Sequence, residues 1–308
     1  MKNLALVVYQ WGDHEQDQLL ANCIGPASQY LWSSELIDKF WFDRFDARGP
    51  HIYLLFGVTP TNRRAVEDQL TTRLNKYLAV NPSTIYLSPE KLEEIHRACQ
   101  GKALCEADRL PGMAANNTYC FFDHPEHGYP LNLTRPGAGI DELQSCFTDL
   151  SKWSAGELIH RNGAPIHGSA LRLIHAVDRE LRHDPEWAFR FWRYAASTLI
   201  HMLRDDRFMV AETCLMSLPP WIGHRNIENF SMTWDLLAHS EDLFQTLPSL
   251  VALARREVDG QRFSEFALLR EAIHCGLAQL GLPVRLRAPL LLFAMLRSIG
   301  SECVTTGP

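Results

Sequence analysis

FWFDRFDARGPHIYLLF, residues 40–56, is the stretch on which the fold turns. Its first half, 40–46, alternates in part and is rich in aromatics, as strands are. Arg48-Gly49-Pro50 forms a turn, and HIYLLFGV at 51–58 reads as the next strand, so the whole is a β-hairpin. Two residues are unusual for a plain core: Arg44 inside an aromatic strand and His51 directly after Gly-Pro. Strand parity points Arg44 away from Asp43 and Phe45, and cross-strand pairing is expected to bring it near His51 or Tyr53. A guanidinium buried there needs a carboxylate of the chain or an anionic ligand.

Outward from the hairpin, LALVVY at 4–9 suits a buried strand, and an apolar stripe over 15–31 predicts a helix. After the hairpin, Thr59-Pro60-Thr61 announces a helix over 61–78, with Val66, Leu70, Leu74 and Leu78 on one face. Ser88-Pro89-Glu90 starts another helix, TYCFFD at 118–123 reads as a strand, and 124–139 is a loop rich in Pro and Gly. Helical patterns follow at 141–160, 168–183, 186–204, 207–217, 233–256, 262–281 and 284–300. Strands first and helices later predict an α+β protein: an N-terminal mixed sheet carrying the hairpin, then a largely helical C-terminal half, read as a single domain over 1–308.

The bulk numbers exclude several classes. The chain has 308 residues, 46% of them hydrophobic, and a net charge of −6. It has no basic surplus to neutralise phosphates, so nucleic acid is not the expected partner. The start turns polar too soon for a signal segment, and APLLLFAML at 288–296 is about half of a membrane span. A cytoplasmic protein with reduced, mostly buried cysteines is expected. Nucleotide-binding and zinc-protease motifs are absent, and no cofactor or resident metal is implied. Asp123-His124-Pro125-Glu126-His127 concentrates potential ligands but suits a solvated loop better. The aromatic run Trp187, Phe189, Phe191, Trp192 and Tyr194 suits a core or a groove for an apolar peptide face.

The segment Trp41–Phe56 resembles the pattern W-F-x-R-[YF]-x-x-x-G-P-H-[IL]-x-L-x-F of the lantibiotic dehydratase C-terminal domain, also called the thiopeptide-type bacteriocin biosynthesis domain. Two weaker likenesses follow: Tyr129, Asn132, Arg135 and Gly137 with Glu142, Phe147 and Ser151, and then His274 through Gly281. Against this pattern, 60–125 looks like an insertion with helices. In glutamate-eliminating members the hairpin reads His-x-Arg-x-Arg; here the cationic positions are Tyr53 and Leu55. Asn132 stands for the loop carboxylate, and Ala278-Gln279 for the last Asn-Arg. Elimination needs cations for the leaving carboxylate and a base for the α-proton.

This departure directs the resemblance toward the stand-alone pyridine synthases of thiopeptide pathways. They join two dehydroalanines of a precursor peptide in a formal [4+2] cycloaddition and release its leader. The resemblance implies His274, Arg135, His51 and Tyr53 as catalytic groups, with Arg44, Asn132 and Ser151 binding substrate. All are expected around one peptide-sized hollow. His274 also suits a hydrogen-bonded core histidine, and Glu271 and Glu265 share its helix. The alternatives are a glutamate-elimination lyase of a split dehydratase and a non-catalytic module that binds the leader.

Overall fold

The computed structural model describes residues 2–99, 112–124, 140–160, 167–181, 183–202 and 264–282, with positions 248, 251, 286–287, 290–291 and 294. The chain divides into two compact units, Met1–Ala164 and Pro165–Pro308.

The first unit runs β1 (Lys2–Tyr9), α1 (Asp13–Leu19), a π turn (Leu20–Ile24), α2 (Gly25–Ser33), β2 (Lys39–Phe45), β3 (His51–Val58), α3 (Arg63–Val80), α4 (Pro89–Cys99), β4 (Thr118–His124) and α5 (Ile140–His160). The sheet order is β2-β3-β1-β4, and every neighbouring pair is antiparallel. This is the split βαβ arrangement of ferredoxin-like sheets. It corrects the expectation of mixed pairing: β1 and β2 run the same way across their helical connection, but β3 lies between them.

Period-two alternation divides the sheet into two faces. Leu4, Leu6, Val8, Phe40, Phe42, Ile52, Leu54 and Phe56 pack under the helices with Leu20, Ile24, Leu31, Val66, Leu70, Leu74 and Leu158. The stripe Val66, Leu70, Leu74 and Leu78 is buried as its spacing predicts. Within 60–125, α3 therefore fills the core and β4 completes the sheet; residues 100–111 lie outside the described part.

The helical pattern over 15–31 continues through Gly25-Pro26 by way of the π turn. The Gly25 N–H donates to the Leu20 carbonyl, five residues back, and Pro26 sits in the first turn of α2 where no donor is required. A Cβ at Gly25 would lie 2.8 Å from the Leu20 oxygen, so this junction needs glycine.

In the second unit, α6 (His167–Leu181), α7 (Pro185–Met202) and α8 (Ser264–Gln279) pack on one another. Phe191 and Trp192 are fully buried, and the Trp192 indole donates to Asp178 at 3.3 Å. The aromatic helix α7 is thus a core element of this unit. The helical patterns at 207–217 and most of 233–256 lie outside the described residues. No described helix is long and apolar enough to cross a membrane.

Candidate functional site

Cross-strand register fixes what stands beside what on the hairpin. Phe45 is opposite His51, Arg44 opposite Ile52, and Asp43 opposite Tyr53. Residues directly opposite share a face. His51 and Tyr53 therefore lie on the second face of the sheet with Phe45, Asp43 and Trp41, whereas Arg44 lies on the helix-covered face. The expected proximity of Arg44 to His51 or Tyr53 is corrected accordingly: one step along a strand reverses the side chain. The Arg44 guanidinium instead meets the Asp17 carboxylate of α1 and the Asp13 carbonyl. Arg44 therefore has the carboxylate partner that its burial demands.

The second face is buried and aromatic. His51 is completely buried, and Tyr9, Tyr53, Trp41 and Asp43 are nearly so. The His51 ring lies 4.9 Å from that of Tyr9 and stacks on Phe45 at 5.8 Å. Tyr53 sits edge-on to Trp41 at 5.9 Å and to Phe45 at 6.1 Å. His51 Nδ1 is 2.9 Å from the Gly49 carbonyl. A carbonyl only accepts, so Nδ1 carries the proton, and in the neutral ring Nε2 holds the lone pair.

The turn supplies a residue that the sequence reading missed. Arg48 adopts a left-handed backbone at φ 61°, followed by Gly49 at φ 118°. This geometry folds the Arg48 side chain back over the sheet. Its Nε donates to the Gly112 carbonyl at 2.7 Å and its Nη1 to the Tyr9 hydroxyl oxygen at 3.3 Å. Arg48, Tyr9, His51 and Phe45 thus form one continuous row. Tyr9 was legible only as the polar-tipped end of an apolar strand, and Arg48 only as a turn residue. Cys120, on the same face, has its thiol pKa raised by burial, with Arg48 opposing the shift.

Two α5 residues from the second sequence likeness lie along β2. Phe147 meets Trp41 edge-on at 6.4 Å, and the wholly buried Ser151 hydroxyl accepts the Phe42 N–H at 3.3 Å. Ser151 thereby satisfies part of the edge strand. Arg135 and Asn132 lie outside the described residues, as do the side chains of Glu142, Glu265 and Glu271.

His274 belongs to the second unit, on α8. Its ring nitrogens are shielded from solvent and have no hydrogen-bond partner among the described residues. Burial, with the charges of Arg287 and Arg270 acting in the same direction, lowers its pKa to about 3. It is a neutral imidazole in cationic surroundings, able to exchange hydrogen bonds but ill-suited to arrive protonated at neutral pH. Arg270 donates to the Tyr194 hydroxyl at 3.3 Å, and Arg287 donates to the Leu282 carbonyl at 2.7 Å. No cluster of three metal-ligating side chains occurs among the described residues. Asp123, which the sequence reading grouped with a polar loop, lies in β4 and pairs with Arg63.

Residues 4–282 match the family described as lantibiotic biosynthesis dehydratase C-term, and the chain belongs to it. Among solved structures it is similar to the pyridine synthase TbtD from thiomuracin biosynthesis. That match has a TM-score of 0.75 at 18% identity and covers 99% of this chain and 100% of that one. TsrL matches with a TM-score of 0.59 at 13% identity, over 97% and 95% of the two chains. The tRNA-dependent lantibiotic dehydratase MibB from Microbispora sp. 107891 matches with a TM-score of 0.55 at 12% identity, over 97% of this chain but 28% of its own. No curated protein sequence matches the chain. At these identities the structural likenesses establish the shared fold.

Proposed function

We propose that this chain modifies a ribosomally made precursor peptide, joining two dehydroalanines in a formal [4+2] cycloaddition and releasing the leader. The observation that carries this reading is the chemistry of the β3 face. At positions 53 and 55, where eliminating relatives place cations, the chain has the buried Tyr53 and the half-buried Leu55. With neither cation present, β3 lacks the two groups that those members use to hold a leaving glutamate carboxylate. It does suit an uncharged reaction limited by positioning and proton transfer. The match over the full length of a pyridine synthase supports the same choice.

The reaction balances without an oxidant. The amide before one dehydroalanine tautomerises, giving a C=C–N=C unit. The second dehydroalanine adds across its ends, and two C–C bonds close a six-membered ring. Water and the leader carboxamide then depart, and the ring becomes aromatic as it gives up protons. In this reading His51 Nε2 and the Tyr53 hydroxyl carry protons, with Tyr9 and Arg48 holding the imidazole row in place. Arg135 orients a peptide carbonyl, and His274 accepts a hydrogen bond as a neutral ring.

The test is incubation with a dehydroalanine-containing precursor, followed by chromatography for the released leader carboxamide. Release is expected with the wild-type chain and loss of release with His51→Phe, which keeps the ring stack. Intact precursor after prolonged incubation with folded wild-type protein contradicts the proposal.

A further inference from the structure

In the first unit, the π turn and α3 border a groove of about 540 Å³. The π turn contributes Asn22 and Cys23, and α3 contributes Arg73, Lys76, Tyr77 and Val80. Two cations line it and no carboxylate does. The Arg73 guanidinium lies over the Tyr30 ring, its carbon 5.3 Å from the centroid. Such stacking engages the face of a guanidinium and leaves the N–H donors along its edge available. Among the described residues, neither Arg73 nor Lys76 has a carboxylate or a hydrogen-bond partner.

Arg73 and Lys76 are three positions apart on α3, so their side chains are neighbours on the helix surface and repel each other. No group lining the groove offsets that repulsion. Burial raises the Cys23 thiol pKa to about 11 against the opposing charge of Arg73. Burial, with Cys23 and Glu15 acting in the same direction, raises the Tyr77 phenol to about 12. Both groups are therefore neutral at neutral pH, and Glu15 does not line the groove. Beside the cations, Val80 is 74% exposed, a free apolar surface. The π turn adds an amide: Asn22 gives one N–H to Gln18 at 2.7 Å and has a second. Turns of this kind are rare inside helices and occur often at functional sites.

We infer that this groove binds a small phosphomonoester, its phosphate between Arg73 and Lys76 and its apolar body against Tyr77 and Val80. Two adjacent cations match the two charges of a monoester, where a carboxylate or a phosphodiester brings one. The planar fork of Arg73 suits two phosphate oxygens at once, and Lys76 adds a point charge. Stacking on Tyr30 holds the guanidinium in place beforehand, so less freedom is lost on binding. The volume falls within the range of about 300–1,000 Å³ of small-molecule sites. A chain of net charge −6 repels extended polyanions, whereas a local pair of cations holds a compact one. The groove lies on the helix-covered side of the sheet, away from His51 and Tyr53, and the inference stands apart from the peptide chemistry proposed for that other face.

The probe is phenyl phosphate, titrated calorimetrically into the full chain at about pH 7.5, where a monoester is largely a dianion. Ionic strength is held constant, because salt screens such contacts. Benzoate and methyl phenyl phosphate carry the same ring with one charge each, and inorganic phosphate lacks the ring. Phenyl phosphate is expected to bind at least about tenfold more tightly than either singly charged compound, and more tightly than inorganic phosphate. Arg73→Gln should weaken its binding by at least about tenfold. Lys76→Gln, a change at an exposed position that keeps the test valid should the Arg73 variant misfold, should bring phenyl phosphate down to the level of benzoate. Equal binding of phenyl phosphate and benzoate, or unchanged phenyl phosphate binding by Lys76→Gln, overturns the inference. So does a diester that binds as tightly as the monoester, since the site then reads a single charge of the kind a nucleic-acid backbone carries. None of these readings uses the precursor peptide, so failure of the site leaves the proposed reaction standing, and failure of precursor conversion leaves the site.

Discussion

His274 illustrates how surroundings alone set what a side chain can do. Its ring is dry, and two guanidiniums act on it. The folded pKa of about 3 lies below the ordinary value of 6.5, so the unfolded chain takes up a proton that the folded chain refuses. Stability contributed by this neutral ring is complete above pH 6.5 and declines as pH falls toward 3. Between pH 7 and 5.5 the loss from this residue is about 1 kcal/mol. Urea denaturation at those two pH values should show it, and His274→Gln should flatten that part of the profile. An unchanged profile contradicts the burial assigned to the ring. The same residue shows what sequence leaves out. Its helix and its match to a family motif were readable, but the neutralising effect of Arg270 and Arg287 depends on packing that brings separate positions together.

At the scale of elements, the hairpin is where sequence and structure agree most closely. The strands at 40–46 and 51–58, the turn at Gly49 and the parity of Arg44 opposite to Asp43 and Phe45 all followed from aromatic alternation and a Gly-Pro corner. The partner of Arg44 did not, because Asp17 comes from a helix distant in sequence. Nor did the role of Arg48, which depends on a left-handed backbone. Gly49 carries the consequence. Its φ of 118° suits glycine, and a Cβ there would lie 3.1 Å from Trp11 Nε1. Gly49→Ala should lose about 1–3 kcal/mol, read as a lower urea midpoint. Because the Gly49 carbonyl holds His51 Nδ1, that variant should also slow precursor conversion at pH values where it remains folded. Full activity with reduced stability separates the turn from the chemistry. The helix 15–31 was readable as a span, but its π turn was not, because apolar spacing barely distinguishes a five-residue from a four-residue hydrogen bond.

Across the whole molecule, the family assignment rests on a profile match from residue 4 to residue 282, which includes both compact units. The sequence reading reached the same family from one hairpin and two faint later motifs. It placed Arg135 and Asn132 in a loop outside the described residues, so the polar set expected around one hollow is represented by His51 and Tyr53 on one face of the sheet. The proposed choice of cycloaddition over elimination rests on Tyr53 and Leu55, which replace cations that would hold a leaving carboxylate. The most direct test offers the purified chain two peptides in one vessel, one glutamylated and one bearing two dehydroalanines, and follows both by mass spectrometry. The account predicts that the dehydroalanine peptide loses water and its leader while the glutamylated peptide keeps its mass. Loss of glutamate from the glutamylated peptide, with the dehydroalanine peptide unchanged, would contradict it.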